Sequence, residues 1–281
     1  MGRVEGKVAF ITGAARGQGR SHAVRLAQEG ADIIAIDICD QTDTVQYQMA
    51  TPDDLAETAK QVENLDRRIV SREVDVRDLA AVESVVADGI AELGRLDIVC
   101  ANAGIGNLGP CWEFTEQEWQ EVLDVNLTGV WKTVKAAIPR MIEQGTGGSI
   151  VLISSAYGLV GAANCGGYVA AKHGVTGLMR NLALELAPHS IRCNSVHPGI
   201  VDTPIVHNPA FYAFAGIPGG TRTDAESVFK WMNALPISQL EPVDISNAVL
   251  WLASDEARYV TGTAQSVDAG AVAPFKIPHS S

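Results

Sequence analysis

The sequence predicts an α/β fold, with helices on both faces of a doubly wound parallel sheet. Short apolar runs typical of buried strands alternate with helix patterns along the chain, and such alternation produces parallel sheets. A glycine cluster lies at the first strand-to-helix turn, after residues 7–12. No repeat, low-complexity tract or linker divides the 281 residues. One domain spanning residues 1–281 is therefore predicted.

Each element is predicted from its own pattern. Seven apolar runs predict strands, at residues 7–12, 31–37, 68–74, 96–102, 149–154, 191–197 and 263–268. One helix pattern follows the glycines and stops at Gly30. Another begins at Thr51 and Pro52, a capping residue and a favoured first position. The remaining helices are predicted at residues 78–93, 115–144 and 242–253, with one more that contains residues 166–174.

Two connections are longer than the fold requires. Residues 39–51 separate the second strand from its helix, and residues 203–240 separate the sixth strand from the last helix. Long connections in a compact domain are usually lids or binding loops. The second segment is predicted to be a substrate loop or lid.

Bulk composition excludes several classes of protein. The net charge of −12 argues against binding to nucleic acid, and no run of about 18 apolar residues predicts a membrane span. The start lacks a signal-peptide pattern, so a soluble, cytoplasmic protein is expected. Five cysteines without a CxxC pair predict reduced, mostly buried thiols. The six histidines show no metal-ligand spacing; no metal site is predicted, and His197 is expected to be packed or hydrogen-bonded.

The glycine cluster and a later acid predict a nucleotide site. Gly13, Gly17 and Gly19 would let the backbone turn tightly and approach a pyrophosphate at a helix N-terminus. Asp37 ends the second strand, where a carboxylate accepts hydrogen bonds from ribose hydroxyls and repels a 2′-phosphate. NAD is therefore favoured over NADP. Arg16, in the glycine loop, is the residue that argues for NADP. A purely structural turn and a solvent-facing aspartate are the alternatives.

Further polar residues follow the third and fourth strands. Asp75 and Val76 end the third, and Asn102-Ala103-Gly104 ends the fourth. Ligands bind at the carboxyl ends of the strands in open parallel sheets. Asp75 could hold the adenine amino group with Val76 stacked beside it; both sets could also be ordinary turn residues.

With these motifs, TGAARGQG (12–19), NAG (102–104), SS (154–155) and YVAAK (168–172), the chain resembles the classical short-chain dehydrogenase/reductase family. The resemblance implies a single Rossmann-type domain with a seven-stranded parallel sheet. It implies that Tyr168, Lys172, Ser155 and Asn126 are catalytic. It places the cofactor against Gly13, Arg16, Gly17, Gln18, Gly19, Asp37, Ile38, Asp75, Val76, Asn102, Ala103, Gly104, Tyr168, Lys172, Pro198, Gly199, Val201 and Thr203.

A narrower resemblance concerns the insertion at 39–51 and the sequence MATPDDLAETAKQVENLDRRIV that follows. Both are similar to the carveol-dehydrogenase-like, mycofactocin-associated branch. That branch implies terpenoid-like alcohol or ketone substrates, NAD that exchanges poorly, and an external redox partner. The insertion is expected near the adenosine. The wider family implies a homotetramer. Ala101 and the segment 268–271 depart from the usual family pattern.

The resemblance also implies a mechanism. Tyr168 and Lys172 lie four residues apart, so they share a helix face. The lysine ammonium and the positive nicotinamide should lower the pKa of Tyr168, which then takes the proton of an alcohol while hydride passes to NAD+. Ser155 would hold the substrate oxygen, and Asn126 would organise a water that links Lys172 to solvent.

The substrate segment is rich in large apolar side chains. These residues could line an apolar pocket or serve packing or subunit contact: Phe211, Tyr212, Phe214, Phe229, Trp231 and Met232. A hydrophobic, cyclic secondary alcohol or its ketone is the expected substrate. Two other functions stay open at this level: an epimerase or dehydratase that retains its NAD, and a non-catalytic NAD-sensing protein. The glycine spacing argues against the first, and the complete Tyr-Lys-Ser set argues against the second.

Overall fold

Seven parallel strands form the central sheet of the computed structural model, which describes residues 2–273. The strands are β1 (Val8–Thr12), β2 (Asp32–Asp37), β3 (Ile69–Glu73), β4 (Ile98–Ala101), β5 (Gly148–Ile153), β6 (Ile191–Pro198) and β7 (Ala264–Val267). Their spatial order is β3-β2-β1-β4-β5-β6-β7, and every neighbouring pair is parallel. The order reverses between β1 and β4, which confirms the doubly wound fold. Residues 1 and 274–281 of the predicted domain lie outside the described part.

Nine α-helices connect the strands within residues 2–273. They are α1 (Gly17–Gln28), α2 (Pro52–Glu63), α3 (Leu79–Leu93), α4 (Glu116–Leu123), α5 (Val130–Gln144), α6 (Gly166–Glu185), α7 (Pro209–Phe214), α8 (Arg222–Met232) and α9 (Pro242–Ala253). The start of α2 confirms the predicted cap. Thr51 accepts a hydrogen bond from the backbone N–H of Asp54, and the Asp54 carboxylate accepts one from the N–H of Thr51.

Two hydrophobic cores lie on opposite faces of the sheet, because successive strand side chains point to opposite sides. In β1, Val8 and Phe10 belong to the core covered by α3, α4, α5 and α6. Ala9 and Ile11 belong to the core covered by α1, α2 and α9. This three-layer packing leaves the carboxyl ends of the strands open at one edge.

The structure differs from the sequence prediction in two segments. The single helix predicted over 115–144 is divided by a π-helical turn, Asp124–Gly129, which contains Asn126. The segment 203–240 contains α7 and α8, which surround a small third cluster of buried side chains: Ile200, Val206, Ala225 and Phe229. This predicted loop therefore has a core of its own.

The cysteines are free thiols, as predicted. Cys39, Cys100, Cys165 and Cys193 are buried, whereas Cys111 is exposed. Across residues 2–273, no helix has both the length and the apolar character needed to cross a membrane.

Candidate active site

A cavity of about 430 Å³ opens at the carboxyl ends of the strands. Every site residue predicted from the sequence contributes to its wall, with the exception of Asn126. The nucleotide and catalytic motifs, which lie up to 190 residues apart along the chain, therefore meet in one place. This convergence follows from the parallel sheet, whose carboxyl ends all face the same edge.

The glycine loop has the geometry that a pyrophosphate requires. Gly13 has a φ of 66°, and a Cβ on Gly19 would lie 1.9 Å from the carbonyl oxygen of Gly13. A side chain at either position would strain or block the turn. Arg16, at the N-cap of α1, makes no side-chain cap. The first backbone N–H groups of α1 therefore remain available to an anion.

Asp37 lies where the sequence placed it, at the end of β2 on the cavity wall. Its Oδ2 accepts a hydrogen bond from the Ala15 N–H at 3.0 Å, and its Oδ1 accepts one from the Cys39 N–H at 3.2 Å. Burial raises the pKa of this carboxyl group, while the two backbone donors act in the opposite direction. Each oxygen keeps capacity for a further donor.

The insertion 39–51 folds over the cavity and reaches beyond the expected adenosine end. The Arg16 guanidinium donates to the carbonyl oxygen of Gln48, which links the glycine loop to the insertion. At the other end, the Tyr47 hydroxyl accepts a hydrogen bond from the Gly106 N–H at 3.3 Å. Gly106 follows β4, so the insertion spans the cavity from the glycine loop towards the catalytic residues.

Two of the predicted polar residues already make an ion pair or hydrogen bonds within the protein. The Asp75 carboxylate pairs with the Arg77 guanidinium at 2.7 Å. The Asn102 side chain donates to the carbonyl oxygens of Thr12 and Gly13, at 2.9 and 3.2 Å. Asn102 therefore fixes the glycine loop from below, and contact of Asp75 with adenine stays a prediction.

Tyr168 and Ser155 both line the cavity, and the Ser155 side chain acts to lower the pKa of Tyr168. Ser155 is itself positioned by His197, whose Nδ1 lies 2.8 Å from the Ser155 carbonyl oxygen. The Nε2 of His197 lies 2.8 Å from the Ser195 hydroxyl oxygen, and the ring is fully buried. The expectation of a packed, hydrogen-bonded His197 is confirmed.

Lys172 lies on the same face of α6 as Tyr168. Its Nζ donates to the carbonyl oxygen of Ile153 at 2.9 Å and lies 5.5 Å from the centre of the Tyr168 ring. Burial lowers the pKa of Lys172 to about 8. Burial raises the pKa of Tyr168, although the Ser155 side chain partly opposes this. Desolvation of the phenolate therefore dominates in the protein alone, and the lowering expected with Lys172 and bound NAD+ together stays a prediction.

Comparison with known proteins agrees with this geometry. The family model described as short chain dehydrogenase matches residues 7–210. The chain is 51% identical over 273 residues to a (−)-trans-carveol dehydrogenase of Rhodococcus erythropolis, across 96% of this chain and 99% of that protein. The chain belongs to the short-chain dehydrogenase family.

Two solved structures extend the likeness. A carveol dehydrogenase from Mycobacterium avium in complex with NAD is 54% identical, with a TM-score of 0.95 over 97% of this chain and 99% of that one. A short chain dehydrogenase from Mycobacterium paratuberculosis bound to NAD is 50% identical, with a TM-score of 0.89 over 96% and 99%. The predicted fold, enzyme class and carveol-dehydrogenase-like branch are confirmed for this short-chain dehydrogenase.

Asn126 of the dehydrogenase has a position different from the other predicted catalytic residues. It lies behind the cavity wall, fully buried, and its side-chain amide bonds to the backbone of Ile105. A Cβ on Gly104 would lie 3.1 Å from Asn126 Oδ1 and 3.6 Å from Lys172 Nζ, so the two side chains flank the same glycine. A water relay through Asn126 stays a prediction.

The aromatic residues of the substrate segment divide into two groups. Phe211, Phe214 and Met232 line the cavity. Phe229 is fully buried in the third cluster, Tyr212 contacts His207, and Trp231 is 66% exposed. Half of the six large apolar side chains predicted from this segment therefore form an apolar part of the cavity wall in the dehydrogenase.

The cavity residues that the sequence did not indicate include Tyr47, Asn107 and Tyr157. Tyr47 belongs to the insertion, whose length was noted but whose path was not predictable. Tyr157 follows Ser155 by two residues, and burial raises its pKa to about 12. Asn107 lies in a loop with no distinctive motif. In the sequence of the dehydrogenase, these three residues are marked only by their closeness along the chain to the insertion, to Asn102-Ala103-Gly104 and to Ser155.

Proposed function

We propose that this short-chain dehydrogenase interconverts a hydrophobic, cyclic secondary alcohol and its ketone, with NAD as the cofactor. The observation that carries the proposal is that Tyr168, Ser155 and Lys172 line the same cavity as the glycine loop. The apolar wall formed by Phe211 and Phe214 supports a hydrophobic substrate. The names of the carveol dehydrogenase relatives support the same substrate class.

The residues present fit NAD. The Oε1 of Gln18, in the glycine loop, is buried and has no hydrogen-bond partner among the described residues, so a ligand donor would satisfy it. Asp37 can accept bonds from ribose hydroxyls and would repel a 2′-phosphate. Arg16 is engaged with the Gln48 carbonyl oxygen, which argues against its use as a phosphate ligand. When bound, oxidised NAD would supply the hydride acceptor.

Tyr168 is the acid and base of the proposed reaction. In alcohol oxidation it takes the hydroxyl proton, while Ser155 donates a hydrogen bond that holds the substrate oxygen in place. Burial favours the neutral phenol, so Tyr168 loses its proton readily only when positive charge lies beside it. Lys172 lies close enough to contribute part of that charge when it is protonated.

The first test quantifies cofactor in the protein as purified. Denaturation followed by mass spectrometry should release NAD(H) and little NADP(H); NADP(H) as the main species would contradict the assignment of Asp37. Turnover of cyclic secondary alcohols is then measured with added NAD and, separately, with an artificial electron acceptor. The second assay detects a cofactor that does not exchange.

The second test compares two tyrosine variants. Tyr168→Phe should lower turnover by roughly a hundredfold or more, since general acid–base catalysis contributes about 10²–10⁴. Its NAD content should be unchanged. Tyr259→Phe makes the same chemical change at an 89% exposed position and should be neutral. Near-normal turnover in Tyr168→Phe would refute the mechanism.

A further inference from the structure

The loop that follows β4, residues 105–109, is unusually well fixed. It bonds to four surrounding segments through the pairs Ile105–Asn126, Gly106–Tyr47, Asn107–Glu118 and Gly109–Asn164. A loop held in this way keeps its side chains in one position before a ligand arrives. Preorganised polar groups of this kind give specificity at little entropic cost on binding.

One polar atom of this loop is not satisfied. Asn107 is 4% exposed, and its Nδ2 donates to the backbone carbonyl oxygen of Glu118 at 2.9 Å. Its Oδ1 is buried and has no hydrogen-bond donor among residues 2–273. The opposite amide orientation would place two carbonyl oxygens against each other, so the contact with Glu118 fixes which atom remains unpaired. Buried carbonyl oxygens are almost always paired, which makes this atom an exception.

Two observations place Asn107 on the substrate side of the cavity. Asn107 contributes to the wall of the active-site cavity. A Cβ on the neighbouring Gly106 would lie 3.6 Å from Ile205 Cδ1, in the substrate segment. The nucleotide motifs Gly13 and Asp37 line the same cavity from the ends of β1 and β2, whereas the loop of Asn107 follows β4. A donor that reaches Asn107 would therefore belong to the substrate.

We infer that Asn107 selects substrates that carry a second hydroxyl group, separate from the hydroxyl that reacts. A carbonyl oxygen only accepts hydrogen bonds, so the substrate group must be a donor. The reacting hydroxyl cannot fill this role, because Tyr168 and Ser155 hold it. The inference rests on the proposed function and narrows its substrate class to apolar cyclic alcohols with a distant second hydroxyl. Asn107 is thus a specificity-determining residue.

A matched pair of alcohols tests this inference. 4-Isopropylcyclohexanol has one hydroxyl; 4-(2-hydroxypropan-2-yl)cyclohexanol has the same reacting carbinol and a tertiary hydroxyl that cannot be oxidised. The 3-substituted isomers sample a second distance. The ratio of kcat/KM for diol over mono-alcohol is measured in the wild type, in Asn107→Leu and in Asn107→Asp.

We expect the preference for the diol over the mono-alcohol to be lost in Asn107→Leu and kept in Asn107→Asp. Asn107→Leu should lower the diol to mono-alcohol ratio by about tenfold or more, since an unpaired buried hydroxyl is disfavoured. Asn107→Asp in its neutral form can donate its O–H to the Glu118 carbonyl oxygen and keeps an acceptor, so it should keep the preference. An equal loss of activity towards both alcohols in Asn107→Leu would show a purely structural role and overturn the inference. An unchanged ratio would overturn it as well.

A binding measurement separates this inference from the proposed function. If the wild type oxidises neither these alcohols nor other cyclic secondary alcohols, the proposed function fails. The Kd ratio of the same two alcohols, measured by calorimetry with the NAD-loaded wild type and Asn107→Leu, then decides the role of Asn107. Tighter diol binding that is lost in the variant would support the inference, and equal ratios would overturn it.

Discussion

The side-chain amide of Asn126 makes two hydrogen bonds to one backbone unit, that of Ile105. Its Oδ1 accepts from the Ile105 N–H at 2.8 Å, and its Nδ2 donates to the Ile105 carbonyl oxygen at 2.7 Å. Asn126 lies in the π-helical turn between α4 and α5, and Ile105 begins the loop that carries Asn107. One side chain therefore couples the turn to the catalytic edge of the sheet.

Replacing Asn126 with alanine should lower both the stability of the protein and its turnover. Both backbone groups of Ile105, which is buried, would lose their partner. We expect the free energy of unfolding to fall by about 1–3 kcal/mol for each group left unpaired. Urea denaturation measures this change. Asn247→Ala is the control, because the exposed Asn247 only accepts a bond from Arg25; a loss of the same size in both variants would contradict the interpretation.

The buried amine of Lys172 should give stability that depends on pH. Its pKa of about 8 lies below the ordinary lysine value of 10.5. Between these two values the unfolded chain binds more protons than the folded protein, so stability rises with pH through this window. Below pH 8 the folded protein must hold a buried ammonium, which opposes folding.

The Lys172→Met variant tests this effect. Without bound cofactor at pH 7, the Lys172→Met variant should be more stable than the wild type by about 1–2 kcal/mol. This figure allows for the lost hydrogen bond to Ile153. The variant should be inactive. The gain should shrink as the pH rises towards 10. Lys135→Met changes an exposed lysine and should show no such trend. Chemical denaturation across this pH range measures both variants, and a gain independent of pH would contradict the prediction.

The Tyr47 hydroxyl is expected to hold the insertion closed over the cavity. Tyr47→Phe removes the acceptor of the Gly106 N–H but keeps the ring. The loss of one hydrogen bond, worth about 1 kcal/mol, should speed release of bound NAD roughly fivefold. Dialysis followed by quantification of retained NAD measures this rate. Release as slow as in the wild type would show that this bond does not retain the cofactor.

Cofactor preference should depend on Asp37. Asp37→Ala removes the carboxylate that repels a 2′-phosphate, so the preference for NAD over NADP should fall about tenfold or more. Asp40→Ala removes a nearby exposed carboxylate and should leave the preference unchanged. Dissociation constants for both nucleotides provide the comparison. If Asp40→Ala shifts the preference as strongly, general charge and not Asp37 determines it.

The fold was largely predictable because local patterns and tertiary packing agree. All seven strands and the cap at Thr51 lie where the sequence indicates. The π-helical turn was not predictable, since the apolar pattern of 115–144 continues through it. By contrast, α7 and α8 were missed although Asn208-Pro209 and the Thr221–Asp224 capping box show the same kind of helix-start pattern.

The active site was predictable where motifs carry it and not elsewhere. The glycine loop, Asp37 and the Tyr168–Lys172 pair follow fixed spacings. The burial that raises the pKa of Tyr168 in the protein alone was not predictable, because the sequence does not show how completely the phenol is enclosed. Asn107 could not be identified from the sequence. It stands out only because its Oδ1 has no hydrogen-bond donor among the described residues, and no sequence motif indicates that.

The third cluster, Ile200, Val206, Ala225 and Phe229, shares no buried residue with the two sheet cores. Changes in the segment around it can therefore accumulate without weakening the sheet that holds the catalytic residues. This separation makes the segment 203–240 a packing unit of its own. Under the proposed function, changes in α7 and α8 would alter substrate preference and leave the residues of proton transfer in place.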